Sequence, residues 1–322
     1  MNIVNYVLAF IAVTTIGMLY DKYSKKFYPD EELDKYNLVR KYLLNESDSL
    51  TGKPFIWIHT KYNINARNWS SFKSRNTLNL NQPYKNLCIK SVMKNCGNSF
   101  KICLIDDSSF DKLIPGWSIR MDNLPEPIKN NIRVLAISKI LYNYGGITLP
   151  NSTIARKDLK TVYNKMLSHN DMFVGELKNK TKTNSYKRLF TSQKVMGCLK
   201  NSENMRKLIE YLEILISTDN TDESKFEGDI NRKLYELVTN NKCSLLDSKI
   251  LGNSTRTNNV IQVEDLMSES GIEFDESLCL IVLPGDEILS RSKYQWFIRL
   301  NENQVLEANT QISKHLLTSL GK

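Results

Sequence analysis

The reactive side chains of this sequence gather at the ends of short apolar runs. Asp106 and Asp107 stand together where the run Lys101–Asp106 (KICLID) gives out. Paired carboxylates there can contact a ribose or base, or hold an ion. The following DDSSFDKL stretch equally suits a cap, because Asp and Ser oxygens accept from free N–H groups at a helix start. His59 closes a second run, Phe55–His59 (FIWIH), as either a ligand contact or a packed imidazole. Arg133 interrupts an apolar helix face, and a guanidinium facing a strand-end cleft favours phosphate. Trp57 serves as a core residue or as a stacking platform for a base. Gly145-Gly146 permits a tight helix-to-strand turn, since positive φ costs glycine little.

Other chemistries are excluded. There is no G-x-S-x-G elbow, P-loop, G-x-G-x-x-G or H-E-x-x-H motif. His59, His169 and His315 are too far apart for a spacing argument. The six cysteines include no C-x-x-C pair, which removes zinc ribbons and thioredoxin-type redox motifs. Cys103 and Cys279 lie in apolar runs and read as buried small hydrophobes. The 322 residues are 41% hydrophobic and 25% charged, globular values that exclude disorder as the main state. A formal charge of +9 fits an anionic partner, or a solubilising excess. The basic stretch Lys178–Arg188 lacks apolar periodicity and reads as an exposed loop, so no nucleic-acid partner is expected.

The elements that must position these residues follow from the hydrophobic pattern. Residues Ile3–Tyr20 carry no charge over 18 positions, about 27 Å as a helix against a hydrocarbon core of about 30 Å. Residues 1–22 are therefore expected to be a transmembrane anchor. Lys22, Lys25 and Lys26 follow the apolar stretch, which places the C-terminal bulk on the cytosolic side. Residues 23–52 read as stem and linker, with helical spacing over Asp30–Leu44. A domain over 53–322 then alternates short strands with helices. Strands are expected at Phe55–His59, Lys101–Asp106, Ile147–Leu149, Asp171–Leu177, Lys194–Cys198, Leu278–Leu283 and Tyr294–Leu300. Helices are expected at Pro83–Cys96, Pro127–Tyr144, Ser202–Ile216 and Gly228–Val238. This predicts an α/β layered fold with a mostly parallel sheet, in which ligands bind at the carboxyl ends of strands.

One constellation carries a resemblance. It runs from Pro54-Phe55-Ile56-Trp57-Ile58-His59 through Asn81-Gln82-Pro83-Tyr84 and Cys103-Leu104-Ile105-Asp106-Asp107 to Arg133-Val134-Leu135-Ala136 and Tyr144-Gly145-Gly146-Ile147. Over roughly 54–160 it resembles the sugar-nucleotide-dependent glycosyltransferases of the capsular polysaccharide synthesis and mannosyltransferase type. The resemblance implies a GT-A-like, Rossmann-type sandwich and a UDP- or GDP-linked sugar donor. It also implies donor contacts from Trp57, His59, Asp106, Asp107, Arg133, Gly145, Gly146, Asn151 and Ser152. The layout, including the stretch at 284–297, further resembles a set of membrane-anchored proteins of large DNA viruses, which would put the chain in a host or virion membrane.

The departures from that family bear on chemistry. Its Gly-Gly-Ile leads to an Asp-x-Asp that holds a divalent ion on the donor diphosphate; here Pro150-Asn151-Ser152 stands in its place. Neutral Asn and Ser oxygens are poor ligands for a hard cation, so manganese or magnesium would need a rebuilt site. The family's Asp three residues before the helix Arg is Asn130. Losing about 4 kcal/mol of leaving-group stabilisation slows a reaction on the order of a thousandfold. The sequence thus points to a membrane-anchored glycosyltransferase-like protein with a degenerate metal site, or to an inactive relative serving as a membrane or virion scaffold.

Overall fold

The computed structural model describes residues 42–44, 52–60, 82–177, 191–218 and 223–321. The apolar stretch 3–20, most of the stem and the Lys178–Arg188 loop lie outside the described residues. Among the described residues no helix is long and apolar enough to cross a membrane.

In chain order the first half is β1 (Phe55–His59), α1 (Pro83–Cys96), β2 (Lys101–Ile105), α2 (Phe110–Leu113), α3 (Glu126–Tyr144), β3 (Gly146–Pro150), β4 (Thr153–Ala155), α4 (Lys160–Met166) and β5 (Met172–Glu176). Then come β6 (Thr191–Cys198), α5 (Glu203–Ser217), α6 (Glu223–Thr239), β7 (Ser244–Leu246), α7 (Val263–Met267) and β8 (Leu280–Val282). Four helices close the chain: α8 (Gly285–Ser290), α9 (Gln295–Ile298), α10 (Glu302–Glu307) and α11 (Gln311–Leu320).

The central sheet has the order β2-β1-β3-β6-β5-β7. Five strands run one way; β6 alone runs against its neighbours β3 and β5. This is the mixed α/β arrangement with a mostly parallel sheet that the alternating pattern predicts. Strands β1, β2, β3 and β5 are buried nearly from end to end, as strands covered on both faces are. A separate pair, β4 with β8, makes a two-stranded sheet. Leu43 and Leu44 already reach the edge strand, with the Leu44 N–H donating to the Ile102 carbonyl at 2.8 Å.

Helix α1 links the two halves of the core. Ile89, Val92 and Cys96 face the sheet with Ile56, Ile58, Phe100 and Ile102. Tyr84, Leu87 and Cys88 face β8 and the C-terminal helices with Phe297, Ile312 and Leu316. All six cysteines are free and buried, and burial pushes the Cys96 and Cys243 thiols up to about 12. They are small core hydrophobes with no thiolate chemistry at neutral pH.

One expected strand is corrected. Tyr294–Leu300 is a 3₁₀ turn (Ser292–Tyr294) running into α9. Its buried rings, Tyr294 and Phe297, are three apart, which is helical spacing, and Phe297 packs on Tyr84 with centroids 5.4 Å apart. Packing overrides the strand preference of aromatic residues.

Candidate functional site

The chain leaves β1 to one side for β2 and later returns to the other side for β3. In a sheet of this kind the crevice outside the carboxyl ends at such a switch point is where ligands bind. Here those ends are His59, Ile105 and Pro150, which lie side by side because His59 pairs in register with both Ile105 and Pro150.

Asp107 is the centre of the first cluster. It opens the 3₁₀ turn after β2, where Asp106 caps by accepting from the Ser108 and Ser109 hydroxyls at 2.7 and 2.8 Å. Arg133, two turns into α3, meets Asp107 side-on: Nε donates to Oδ1 at 2.8 Å and Nη2 to Oδ2 at 2.6 Å. Arg133 Nη1 donates to Glu126 Oε2 at 3.1 Å and to Asn130 Oδ1 at 2.9 Å. His59 Nε2 lies 3.0 Å from Asp107 Oδ1, its ring stacked on Phe110. Burial alone would raise the Asp107 pKa, but the Arg133 and His59 hydrogen bonds overcome it and hold the carboxyl well below the usual range. For Arg133 the penalty of burial is likewise outweighed by Asp107 and Glu126, which raise its pKa. With Asp107 ionised, the His59 proton sits on Nε2.

A second cluster surrounds the turn after β3. Ser152 Oγ donates to the Leu283 carbonyl at 2.9 Å, tying that turn to the end of β8. Gly285 follows so closely that a Cβ there would stand 3.2 Å from both Ser152 Oγ and the Tyr84 hydroxyl. The Tyr84 hydroxyl and Gln82 Oε1 are buried with no hydrogen-bond partner among the described residues. Next to Gly285, Asp286 reaches Lys194 Nζ at 3.4 Å. Lys194 stands half-exposed where β6 bulges and its register against β5 shifts. Bulges of this kind often re-aim a side chain beside an active site.

The residues singled out in the sequence part company here. His59, Asp106, Asp107, Arg133, Asn151 and Ser152 all lie at or beside the carboxyl edge. Trp57 is wholly enclosed: its Nε1 donates to the Gly145 carbonyl at 2.9 Å, and its ring stacks on Phe55. Gly145 and Gly146 sit at the amino end of β3, about 13 Å from Pro150 at the usual strand rise. Their φ values are +71° and +102°, and a Cβ on Gly146 would stand 2.3 Å from the Phe55 carbonyl oxygen, so their role there is the turn. Lys194, Tyr84, Gln82 and Asp286 were not marked as site residues by the sequence. Gln82, Tyr84 and Asp286 fall within stretches that carry the resemblance, but what brings Tyr84 and Asp286 toward Ser152 and Lys194, the Gly285 approach and the β6 bulge, has no local signal.

The residues present do not fit the divalent ion that the family resemblance implies. Asn151 and Ser152 offer only neutral oxygens, and Ser152 Oγ is engaged by Leu283. Asp106 is a cap, and both oxygens of the ionised Asp107 already accept from Arg133. Among the described residues no three His, Cys, Asp or Glu side chains converge as a metal site.

No protein-family model matches the chain, and no curated protein does. Among solved structures it is similar to a glycosyltransferase involved in glycosylation of the major capsid of PBCV-1. That match has 11% identity over 64% of this chain and 86% of the other, with a TM-score of 0.37. It is also similar to the PaToxG glycosyltransferase, at 12% identity over 69% and 80% with a TM-score of 0.33. Mouse xyloside xylosyltransferase 1 gives 10% identity over 61% and 86% with a TM-score of 0.35.

Proposed function

We propose that this chain binds a nucleotide sugar at the carboxyl edge of β1, β2 and β3 and transfers the sugar to a glycan, lipid or protein acceptor. The observation that carries the reading is the Asp107–Arg133–His59 cluster at the switch point of co-directional strands, in the segment bearing the Arg133-to-Gly146 motif. An ionised, rigidly held carboxylate beside such a crevice is suited to accept hydrogen bonds from a ribose or base. Arg133 is a positioning residue in this reading, since its donors already serve Asp107, Glu126 and Asn130. The cation that faces a donor diphosphate is Lys194, whose only described ion-pair partner, Asp286, is on the exposed surface. A lysine there supplies leaving-group stabilisation without a metal. UDP and GDP are the donor classes proposed, with the domain held to a membrane through residues 3–20 and facing the cytosol.

A second reading, binding without turnover, is favoured by Ser152: its hydroxyl ties the turn after β3 to Leu283 and offers nothing to the diphosphate. A thermal-shift panel of the full chain in detergent, with UDP, GDP, CMP and their sugar conjugates with and without manganese, tests the site. A shift selective for one nucleotide, independent of manganese and lost in Lys194→Ala, supports the donor site; a flat panel on folded protein overturns it. Release of free nucleotide from the stabilising conjugate then separates transfer from binding alone.

A further inference from the structure

Between Glu287 and Glu302 the chain carries Arg291, Lys293 and Arg299 and no acidic residue. This stretch forms the end of α8, the 3₁₀ turn and α9, which pack on one another. It buries Ile288, Tyr294 and Phe297 and leaves two large apolar side chains in solvent, Leu289 at 37% and Trp296 at 46% exposure. Arg291 is balanced by Glu264 at 2.6 Å and Glu287 at 2.8 Å. Lys293 instead lies over the Tyr294 ring, 5.6 Å from its centroid, and Arg299 donates to the neutral Gln295 side chain at 3.3 Å. Among the described residues neither has an acidic partner within ion-pair distance. The surface therefore combines an exposed indole, an exposed leucine and two cations with no local counter-charge.

We propose that this surface docks on an anionic lipid bilayer. Tryptophan prefers the boundary between headgroups and acyl chains, where its apolar ring and N–H are both accommodated. Lysine and arginine beside it are drawn to the negative leaflet, with an effect that fades within a Debye length. Charge complementarity selects lipid over a second copy of this chain, whose matching patch carries the same excess of positive charge. The surface begins four residues after Gly285, which abuts Ser152, so docking sets the carboxyl-edge crevice close to the membrane. The proposal does not depend on the donor reading or on residues 3–20.

The test uses the full chain with vesicles of phosphatidylcholine alone or with 30% phosphatidylserine, each containing brominated lipid as a quencher of indole emission. The stretch 3–20 contains no tryptophan, and the Trp296 contribution is the difference between wild type and Trp296→Phe. The expected result is a blue-shifted, quenched Trp296 component on anionic vesicles only, reversed by 1 M salt. Lys293→Gln with Arg299→Gln should weaken that quenching response by about thirtyfold in lipid concentration. A Trp296 component insensitive to brominated lipid, or equally quenched on neutral vesicles, overturns the proposal. So does a dimer, seen by light scattering without lipid, that Trp296→Asp splits. Circular dichroism of each variant guards against misfolding, and the exposed positions chosen keep that risk low.

Discussion

Replacing Asp107 with Asn, alone and with Arg133→Met, tests whether the carboxyl-edge cluster is an ionic unit or a coincidence of neighbours. The Asp107 side chain is 23% exposed and that of Arg133 8%. Breaking a fully buried pair costs about 3–5 kcal/mol, and the residual exposure of Asp107 reduces this to about 2–4 kcal/mol after allowance for solvent screening. Asp107→Asn keeps one acceptor for the guanidinium and falls at the lower end. Arg133→Met leaves an anion with only His59 and falls at the upper. At about 2 °C per kcal/mol for a domain of this size, the expected losses in Tm are about 4 to 8 °C. The double variant should lose about 2 kcal/mol less than the sum of the singles, the signature of contact.

The same variants carry a pH signature. Because the fold depresses the Asp107 pKa, its contribution is present above the ordinary carboxylate range, near 3.9, and disappears as pH falls through the lower folded value. The gap in Tm between wild type and Asp107→Asn should be full from pH 5 to 8, begin to narrow below about pH 4, and go on narrowing as pH falls toward the lower folded value. Denaturant melts of the four proteins at several pH values supply both readouts. Additivity within about 0.5 kcal/mol, or a gap unchanged down to pH 3, would refute the ionic account.

Three further outcomes follow from the geometry. Gly146→Ala sets a Cβ against the Phe55 carbonyl at 2.3 Å, so it should yield insoluble or grossly destabilised protein. Gly116→Ala, at φ +71° with open space around it, should cost only about 1 kcal/mol by thermal melt. Trp57→Phe removes the indole bond to Gly145 and leaves a void, for about 2–3 kcal/mol, while any nucleotide-induced shift in Tm stays the same size. His315 is half-buried beside Arg156, and both effects lower its pKa to about 4. The fold thus favours neutral His315, a contribution complete above pH 6.5 and lost as pH falls toward 4. His315→Gln should flatten that part of the Tm profile, and an imidazole NMR titration should show a midpoint near 4.

The periodic parts of this fold are legible in the sequence. Apolar runs at Phe55, Lys101 and Ile147 become β1, β2 and β3 within a residue or two, and the Pro-opened, Gly-closed stretches become α1 and α3. Each of those signals is local: a run length, a helical spacing, a stop residue. The 294–300 stretch misleads because five apolar or aromatic residues in seven look strand-like until Tyr84 supplies a surface for Phe297. The β6 bulge at Lys194 and the approach of Gly285 to Ser152 have no local trace at all. They depend on which strand lies antiparallel to which, and spacing along the chain does not encode that.

Asp106 and Asp107 show where legibility ends. The two residues are identical and adjacent, and their sequence context admits cap and ligand for either. Backbone geometry separates them: Asp106 stays extended at φ −136° and folds its carboxylate over Ser108 and Ser109, so Asp107, one step into the turn, presents its own toward the crevice. What then fixes Asp107 is Arg133, whose position depends on the length of α3 and the Gly145-Gly146 turn that aligns the helix with β3. The glycines are therefore tied to the site although they lie at the far end of β3. They set the register of the helix that holds the carboxylate ionised, a role that acts through geometry and would be lost with the turn.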